Sequence, residues 1–304
     1  MDIKEELQQK YNCLFDNIKL IRDMIGQVYF VDRNNQRYIL KLFRKNFFNQ
    51  AIQSVDIMHY LYQNGFPVAK ITDTFDGNKY FISENENRVG VLYKYIDGIE
   101  PNKGDLIVEI GEMTGKMRFI MSQYKNILFR HDNEFFINRY IKILDQMNYK
   151  DRGAFQQHGR DLWRRVNNLP LGFCHGDLHV GNMLIDDRQI INLFDFDAAA
   201  MAYPTYDIAT VCDMTDYFSL NDRNFEIGFD ETNRMLERFL NGYNRFYSLS
   251  DREIKSVFDF IAIRHFDIQA TIIESQGLDC VDENFINRQY DWLMKWDKFC
   301  KNKL

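Results

Sequence analysis

Short apolar runs broken by turn residues occupy the first hundred positions, and longer runs with helical spacing follow. Residues 19–22, 27–32 and 37–43 read as three consecutive strands, the last two joined by the polar turn Arg33-Asn34-Asn35-Gln36. Residues 47–64 read as a helix, with Ala51, Val55, Met58 and Leu61 on one face, closed by Asn64-Gly65 and followed by Pro67. Further strands are predicted at 69–72, 80–83 and 91–95. After Asp97-Gly98 the pattern turns helical, at 106–123, 134–147 and 155–167. A β-rich island follows at 171–174, 183–185 and 190–194. Helices resume at 230–246, then behind the capping box Ser250-Asp251-Arg252-Glu253, then at 282–298. The pattern is a small mixed lobe, a crossing near residues 95–98, and a larger helical lobe.

Composition narrows the class. A chain of 304 residues with 45% hydrophobic and 27% charged residues is globular, with room for two lobes. Aromatics reach 15%, which predicts a ring-rich core. A net charge of -6 argues against a nucleic-acid partner. An acidic surface serves solubility first and suits a cationic substrate second. The five cysteines are odd in number, with no C-x-x-C spacing, which points away from disulfides and zinc ribbons and toward a reducing, cytoplasmic setting. The charged start Met1-Asp2-Ile3-Lys4-Glu5-Glu6 has no signal-peptide character, and no run is apolar enough to span a membrane.

Candidate chemistry concentrates at His175-Gly176-Asp177-Leu178-His179-Val180-Gly181-Asn182, between two short strands. Asp177 and Asn182 stand five positions apart, the spacing of the Asp and Asn in the protein-kinase catalytic loop. Such a loop offers a carboxylate to an acceptor hydroxyl and an amide oxygen to a metal. Asp195-Phe196-Asp197 follows the next apolar strand, where kinases carry a magnesium-binding acid. His175-x-Asp177-x-His179 also admits a metallohydrolase reading, which leaves the Asn182 spacing and the second acidic pair unexplained.

Residues 173–209 resemble the aminoglycoside phosphotransferase and choline kinase superfamily. That family's loop resembles HGDLHPGN, followed by IDFD or IDWE and then YDLA. This chain has HGDLHVGN, LFDFD and Tyr206-Asp207-Ile208-Ala209, with Val180 in place of the frequent proline. The resemblance implies an α+β, two-lobed, protein-kinase-like fold: a small β-rich N-lobe with one main helix over residues 1–97, which binds nucleotide, and a larger helical C-lobe over 98–304, which carries catalysis and substrate. It implies a Mg2+-dependent transfer of the γ-phosphate of ATP or GTP to the hydroxyl of a small molecule. Carried over by position, Asp177 is the catalytic base, Asn182 and Asp195 bind magnesium, and Asp197 is a second metal contact. His175 braces the loop, and Asp207 anchors it from the start of the next helix. Lys41, in the apolar strand Tyr38-Ile39-Leu40-Lys41-Leu42-Phe43, grips the α- and β-phosphates. Tyr93 stands at the gatekeeper position of the hinge, and the backbone of Lys94 and Ile96 faces the base.

Two features depart from the family pattern. The helix acid expected to pair with Lys41 falls at Ser54, leaving Asp56 as a substitute or Lys41 held by phosphate alone. The nucleotide loop Asp23-Met24-Ile25-Gly26-Gln27 has one glycine. Asp213, Asp216, Asp267 and Glu274 are candidate acids for a cationic acceptor, each more readily explained as solvated. Open acceptors include aminoglycosides and other antibiotics, choline, homoserine and sugar derivatives. The rival readings are a protein kinase of the same fold, against which the short segment 198–204 argues, and a non-catalytic kinase-like binding protein. No membrane partner is expected.

Overall fold

The leading strands pair in chain order, as their turn residues require. In the computed structural model, which describes residues 2–23, 26–84, 87–221 and 225–304, β1 is Asn17–Asp23, β2 Gly26–Arg33 and β3 Gln36–Phe43. Asn34 and Asn35 close the β2–β3 hairpin with φ of 50° and 59°, the left-handed pair that a two-residue hairpin turn demands. β4 (Phe81–Ile82) and β5 (Val89–Lys94) complete an antiparallel sheet of order β1-β2-β3-β5-β4. Residues 24 and 25 of the nucleotide loop lie outside the described residues.

An N-terminal helix, α1 (Ile3–Tyr11), was not announced by the apolar pattern. Its Leu7 and Tyr11 pack with Phe15 against Val31, Leu40, Leu42, Phe81 and Leu92 of the sheet. α2 (Phe48–Gln63) buries Ala51, Val55, Met58 and Leu61, as the spacing predicts, and buries Ser54 with them. The strand expected at 69–72 is not one. Val68 bridges to Leu193 and Ile71 to Tyr93, so the segment touches two different strands and forms no ladder with either.

The chain divides into two compact units, Met1–Lys103 with Val180–Ala199, and Gly104–His179 with Ala200–Leu304. The first unit therefore takes in a small sheet of β6 (Gly98–Ile99), β8 (Met183–Asp186) and β9 (Ile191–Leu193), in the order β6-β8-β9.

In the second unit β7 (Gly172–Cys174) pairs antiparallel with β10 (Ala200–Ala202). Its helices are α3 (Ile107–Met121), α4 (Arg139–Gln146), α5 (Arg152–Val166), α6 (Pro204–Cys212), α7 (Phe225–Tyr243), α8 (Asp251–Gln276) and α9 (Glu283–Lys303). A π-helical turn, Glu134–Asn138, leads into α4. α8 packs against α4, α5, α6 and α9. Around it, Tyr140, Phe155 and Phe266 meet edge-on at 5.6, 5.9 and 6.0 Å, the geometry that ring quadrupoles favour. The Ser250–Glu253 capping box forms at the start of α8, and Asp282 caps α9 through the Phe285 N–H at 2.7 Å. Among the described residues, no helix is long and apolar enough to cross a membrane.

Candidate active site

In the first unit the site begins with a lysine in an apolar strand. Lys41 pairs in register with Val28 of β2 and Val91 of β5, and its side chain is 11% exposed. An unpaired ammonium there is costly, so the fold must supply anions. It supplies two: Nζ lies 2.8 Å from Asp195 Oδ1 and 2.6 Å from Asp197 Oδ2. Burial alone lowers the Lys41 pKa, but the two carboxylates outweigh it and hold the amine charged. Burial pushes the Asp197 carboxyl up to about 6, against the pull of Lys41. Lys41 thus takes its acids from the segment after β9 and neither from Asp56 nor from phosphate alone. Asp56 is exposed on α2, and Ser54 instead donates to Asp197 Oδ1 at 3.4 Å.

The Asp195-Phe196-Asp197 turn is fixed by its middle residue and its backbone. Phe196 is fully buried, and Asp195 takes a left-handed conformation, φ 64°, that aspartate tolerates better than most side chains. The Asn182 carbonyl accepts the Phe194 N–H at 3.1 Å, tying the segments before and after the β8–β9 hairpin together. Asn182 itself is buried.

Lys41, Asp195 and Asp197 line a cavity of about 430 Å³ in this unit. Tyr93, Lys94 and Ile96 line it too, so the positions read as lysine, hinge and second acidic cluster are brought to one hollow. Apolar walls come from Val28, Ile39, Met58, Ala69 and Leu184. The Lys94 N–H donates to the Lys70 carbonyl at 2.8 Å, so that donor is already used within the fold. Arg22, not singled out in the sequence, stands at the cavity 3.6 Å from Asp195 Oδ2. Its only sequence signal was a charge at the end of a strand.

In the second unit, the segment that follows β7 is tied down by Asp207. Its two carboxylate oxygens accept the backbone N–H groups of His175 (2.7 Å) and Gly176 (2.9 Å). Gly176 has φ of 83°, which L side chains rarely adopt. His175 is fully buried, and its Nδ1 accepts the Asp177 N–H at 3.3 Å. Leu178 is fully buried as well, whereas Asp177 on its other side is exposed, with His179 Nε2 at 3.4 Å from its Oδ2. The loop thus presents one carboxylate from a fixed backbone. The neighbouring Cys174 is a buried thiol, its pKa pushed up by burial.

The four acids considered for an acceptor fare unequally. Asp267 and Asp213 are buried, not solvated. Asp267 accepts from the Tyr206 hydroxyl and from Arg139, which also reaches Glu274 at 2.8 Å. Asp213 accepts from Thr215 and lies 3.4 Å from Arg264. Asp216 is exposed and accepts the Ser219 N–H at 3.1 Å.

A divalent cation fits the donor set of the first unit. Asp195 and Asn182 offer hard oxygens, and among the described residues no group of three or more His, Cys, Asp or Glu gathers to hold a metal unaided. Magnesium that draws its remaining ligands from phosphate and water needs no more protein than this.

Comparison with known proteins places the chain. The family model described as "Phosphotransferase enzyme family" matches residues 17–253. The amicoumacin kinase of Bacillus subtilis (strain 168) is 24% identical over 294 residues, 91% of this chain and 86% of that protein. Among solved structures, an amicoumacin kinase in complex with AMP-PNP and Ca2+ superposes with a TM-score of 0.75 at 22% identity, covering 97% of this chain and 92% of that one. A microcompartment-associated aminopropanol kinase gives 0.75 at 16% identity, covering 99% and 97%. The expected kinase-like fold is the fold observed.

Proposed function

Because the chain belongs to the phosphotransferase enzyme family, we propose that it moves the γ-phosphate of ATP or GTP, with Mg2+, to a hydroxyl of a small molecule. The observation that carries this reading is Lys41, held by Asp195 and Asp197 in the wall of a cavity that the hinge residues also line. A lysine so placed is a charged, pre-positioned partner for a polyphosphate.

The roles follow from the groups present. The apolar walls at Val28, Ile39, Ala69 and Leu184 accept the flat base, with Tyr93 at the back. Since its N–H is already bonded, Lys94 offers its carbonyl, and Ile96 its N–H, to the base edge. Lys41 takes the α- and β-phosphates. Asn182 and Asp195 would hold magnesium, which when bound neutralises charge on the phosphate oxygens. Asp177, exposed on a loop fixed by Asp207, His175 and Leu178, orients the acceptor hydroxyl and takes its proton late. Catalysis is then mostly positioning and charge stabilisation, as a loose transition state requires.

The acceptor is proposed to be a small hydroxyl compound, with amino alcohols and amino-bearing antibiotics first in line. The kinases it is similar to, named for amicoumacin and aminopropanol, support that order. The test is a nucleotide-consumption screen with ATP and GTP against a panel of hydroxyl compounds, run on the wild type and on Asp177→Asn. The variant should lose nearly all turnover while nucleotide affinity stays within about threefold. Retention of most turnover by Asp177→Asn would remove Asp177 from its role, and absence of nucleotide binding would remove the phosphotransfer reading itself.

A further inference from the structure

Lys41 needs a partner that keeps it in place, and α2 does not provide an acid. On α2, Ser54, 1% exposed, lines the same cavity as Lys41. Between that serine and the lysine lies Asp197. One of its oxygens is 2.6 Å from Lys41 Nζ, and the other accepts from Ser54 Oγ at 3.4 Å. Beside this contact the Gln53 amide donates to the Ala199 carbonyl at 2.7 Å, so α2 is stapled to residues 197–199 at two points. Asp195 differs. Its Oδ1 shares Lys41, but its Oδ2 lies 3.6 Å from the half-exposed Arg22, which also lines the cavity.

We propose that Asp197 is the positioning residue for Lys41 and not a metal contact, doing from the segment after β9 what an acid on α2 would otherwise do. The assignment rests on the phosphotransferase reading of this cavity. A small side chain at 54 is the condition for it. Ser54 leaves the volume that the Asp197 carboxylate occupies and gives that carboxylate a hydrogen bond. When Asp195 is committed to the metal, Asp197 is the acid that stays with the lysine. An acid at 197 and an acid at 54 are therefore alternatives for one place, and the chain has taken the first.

The exchange can be tested by moving the acid. MgADP affinity is measured by calorimetry, and Mn2+ affinity in the presence of ADP by electron paramagnetic resonance, on the full chain. The set is wild type, Asp197→Ala, Asp197→Asn, Ser54→Glu, and Asp197→Ala combined with Ser54→Glu. By charge alone, deleting a carboxylate beside a polyanion should tighten ADP binding. Positioning gives the opposite sign, because a released lysine must be immobilised again on binding. Asp197→Ala and Asp197→Asn should then weaken MgADP roughly tenfold. Mn2+ affinity should hold within about twofold, and adding Ser54→Glu to Asp197→Ala should bring MgADP back to within about threefold of wild type. That recovery also shows that a chain without the 197 carboxylate can fold, and the asparagine variant, which keeps the shape, repeats the test independently. Ser54→Glu alone, with both acids competing for one place, should not improve binding. The proposal is overturned if either Asp197 variant tightens MgADP, or if Mn2+ affinity drops about tenfold with no recovery from Ser54→Glu, which would return Asp197 to the metal. Both of those outcomes leave the phosphotransferase reading standing, whereas a wild type that binds no MgADP removes both.

Discussion

His265 lies in α8 between Arg264 and Phe266, with its ring 4.3 Å from Trp292 in a near-parallel stack and 4.5 Å from Tyr217. It is 1% exposed, and neither ring nitrogen has a hydrogen-bond partner among the described residues. Burial, and then the Arg264 charge, lower its pKa to about 3. In the unfolded chain a histidine titrates near ~6.5. The folded value is thus depressed for a basic group. Below ~6.5 the unfolded state gains a proton that the folded state refuses, so stability is complete above that pH and is lost as pH falls toward about 3. Each pH unit in that window removes about 1.4 kcal/mol, which makes ~2 kcal/mol by pH 5.

His265→Phe keeps a flat ring for Trp292 and Tyr217 and removes the titration. At pH 7 two effects oppose each other. Two unsatisfied buried nitrogens disappear, a gain of about 1–3 kcal/mol, and a larger ring enters a packed core, a loss of similar size. The slope is therefore the informative quantity. Urea unfolding of wild type and variant at pH 7, 6 and 5 should give curves that converge or cross in favour of the variant, with ~2 kcal/mol of relative change between pH 7 and pH 5. His158, depressed to about 4, remains in both proteins and cancels in the difference. Parallel stability curves would refute the assignment of a neutral, proton-refusing imidazole to this place.

Three further outcomes follow from other contacts. Asp207→Ala strips the acceptor from one buried and one part-buried N–H group, so it should lower stability by about 2–4 kcal/mol in urea unfolding and, by loosening the loop that carries Asp177, lower turnover on the order of 100-fold. Gly242→Ala places a methyl carbon 1.8 Å from the Val108 carbonyl oxygen, where α3 and α7 touch through Gly111 and Gly242. It should destabilise the protein by more than about 3 kcal/mol, seen as a lower thermal midpoint, and a loss under about 1 kcal/mol would mean the helices part freely. Ser250→Ala removes a capping box that the fold displays in full, and about 1 kcal/mol with it, with turnover unchanged.

What could be read from the sequence was local, or fixed by chemistry. β1 to β3, α2 and the α8 cap are set by period, turn residues and neighbours a few positions away, and they fall within two residues of the reading. α1 was missed because its buried face, Leu7 and Tyr11, has meaning only against a sheet formed later in the chain. The failed strand at 69–72 has the right residue types but finds Leu193 at one end and Tyr93 at the other, which no local pattern reveals. The same holds for charge. Asp267 was expected to meet water, yet its Arg139 partner lies 128 positions away, and the acids that hold Lys41 lie 154 and 156 positions away.

Those long-range pairs change what the net charge of the chain says about its acceptor. Of the four acids considered for a cation, Asp267 and Glu274 share Arg139, and Asp213 faces Arg264. An incoming ammonium would have to displace a guanidinium to use any of them, and a buried carboxylate freed of its partner is expensive. Asp267 is further bound by Tyr206, so its first duty is to fix α6 to α8. Asp216 and Glu274 are the acids of this set that stand exposed, and Glu274 already meets Arg139. With Asp177, also exposed, proposed for the hydroxyl, a preference for amino alcohols over neutral ones would rest on far fewer carboxylates than the composition advertises. Under the proposed function, selectivity among hydroxyl compounds would then be set chiefly by shape and neutral hydrogen bonds. An acceptor screen that pairs each amine with its uncharged analogue reads that directly, because a preference carried by one or two exposed acids fades with added salt, whereas one carried by shape does not.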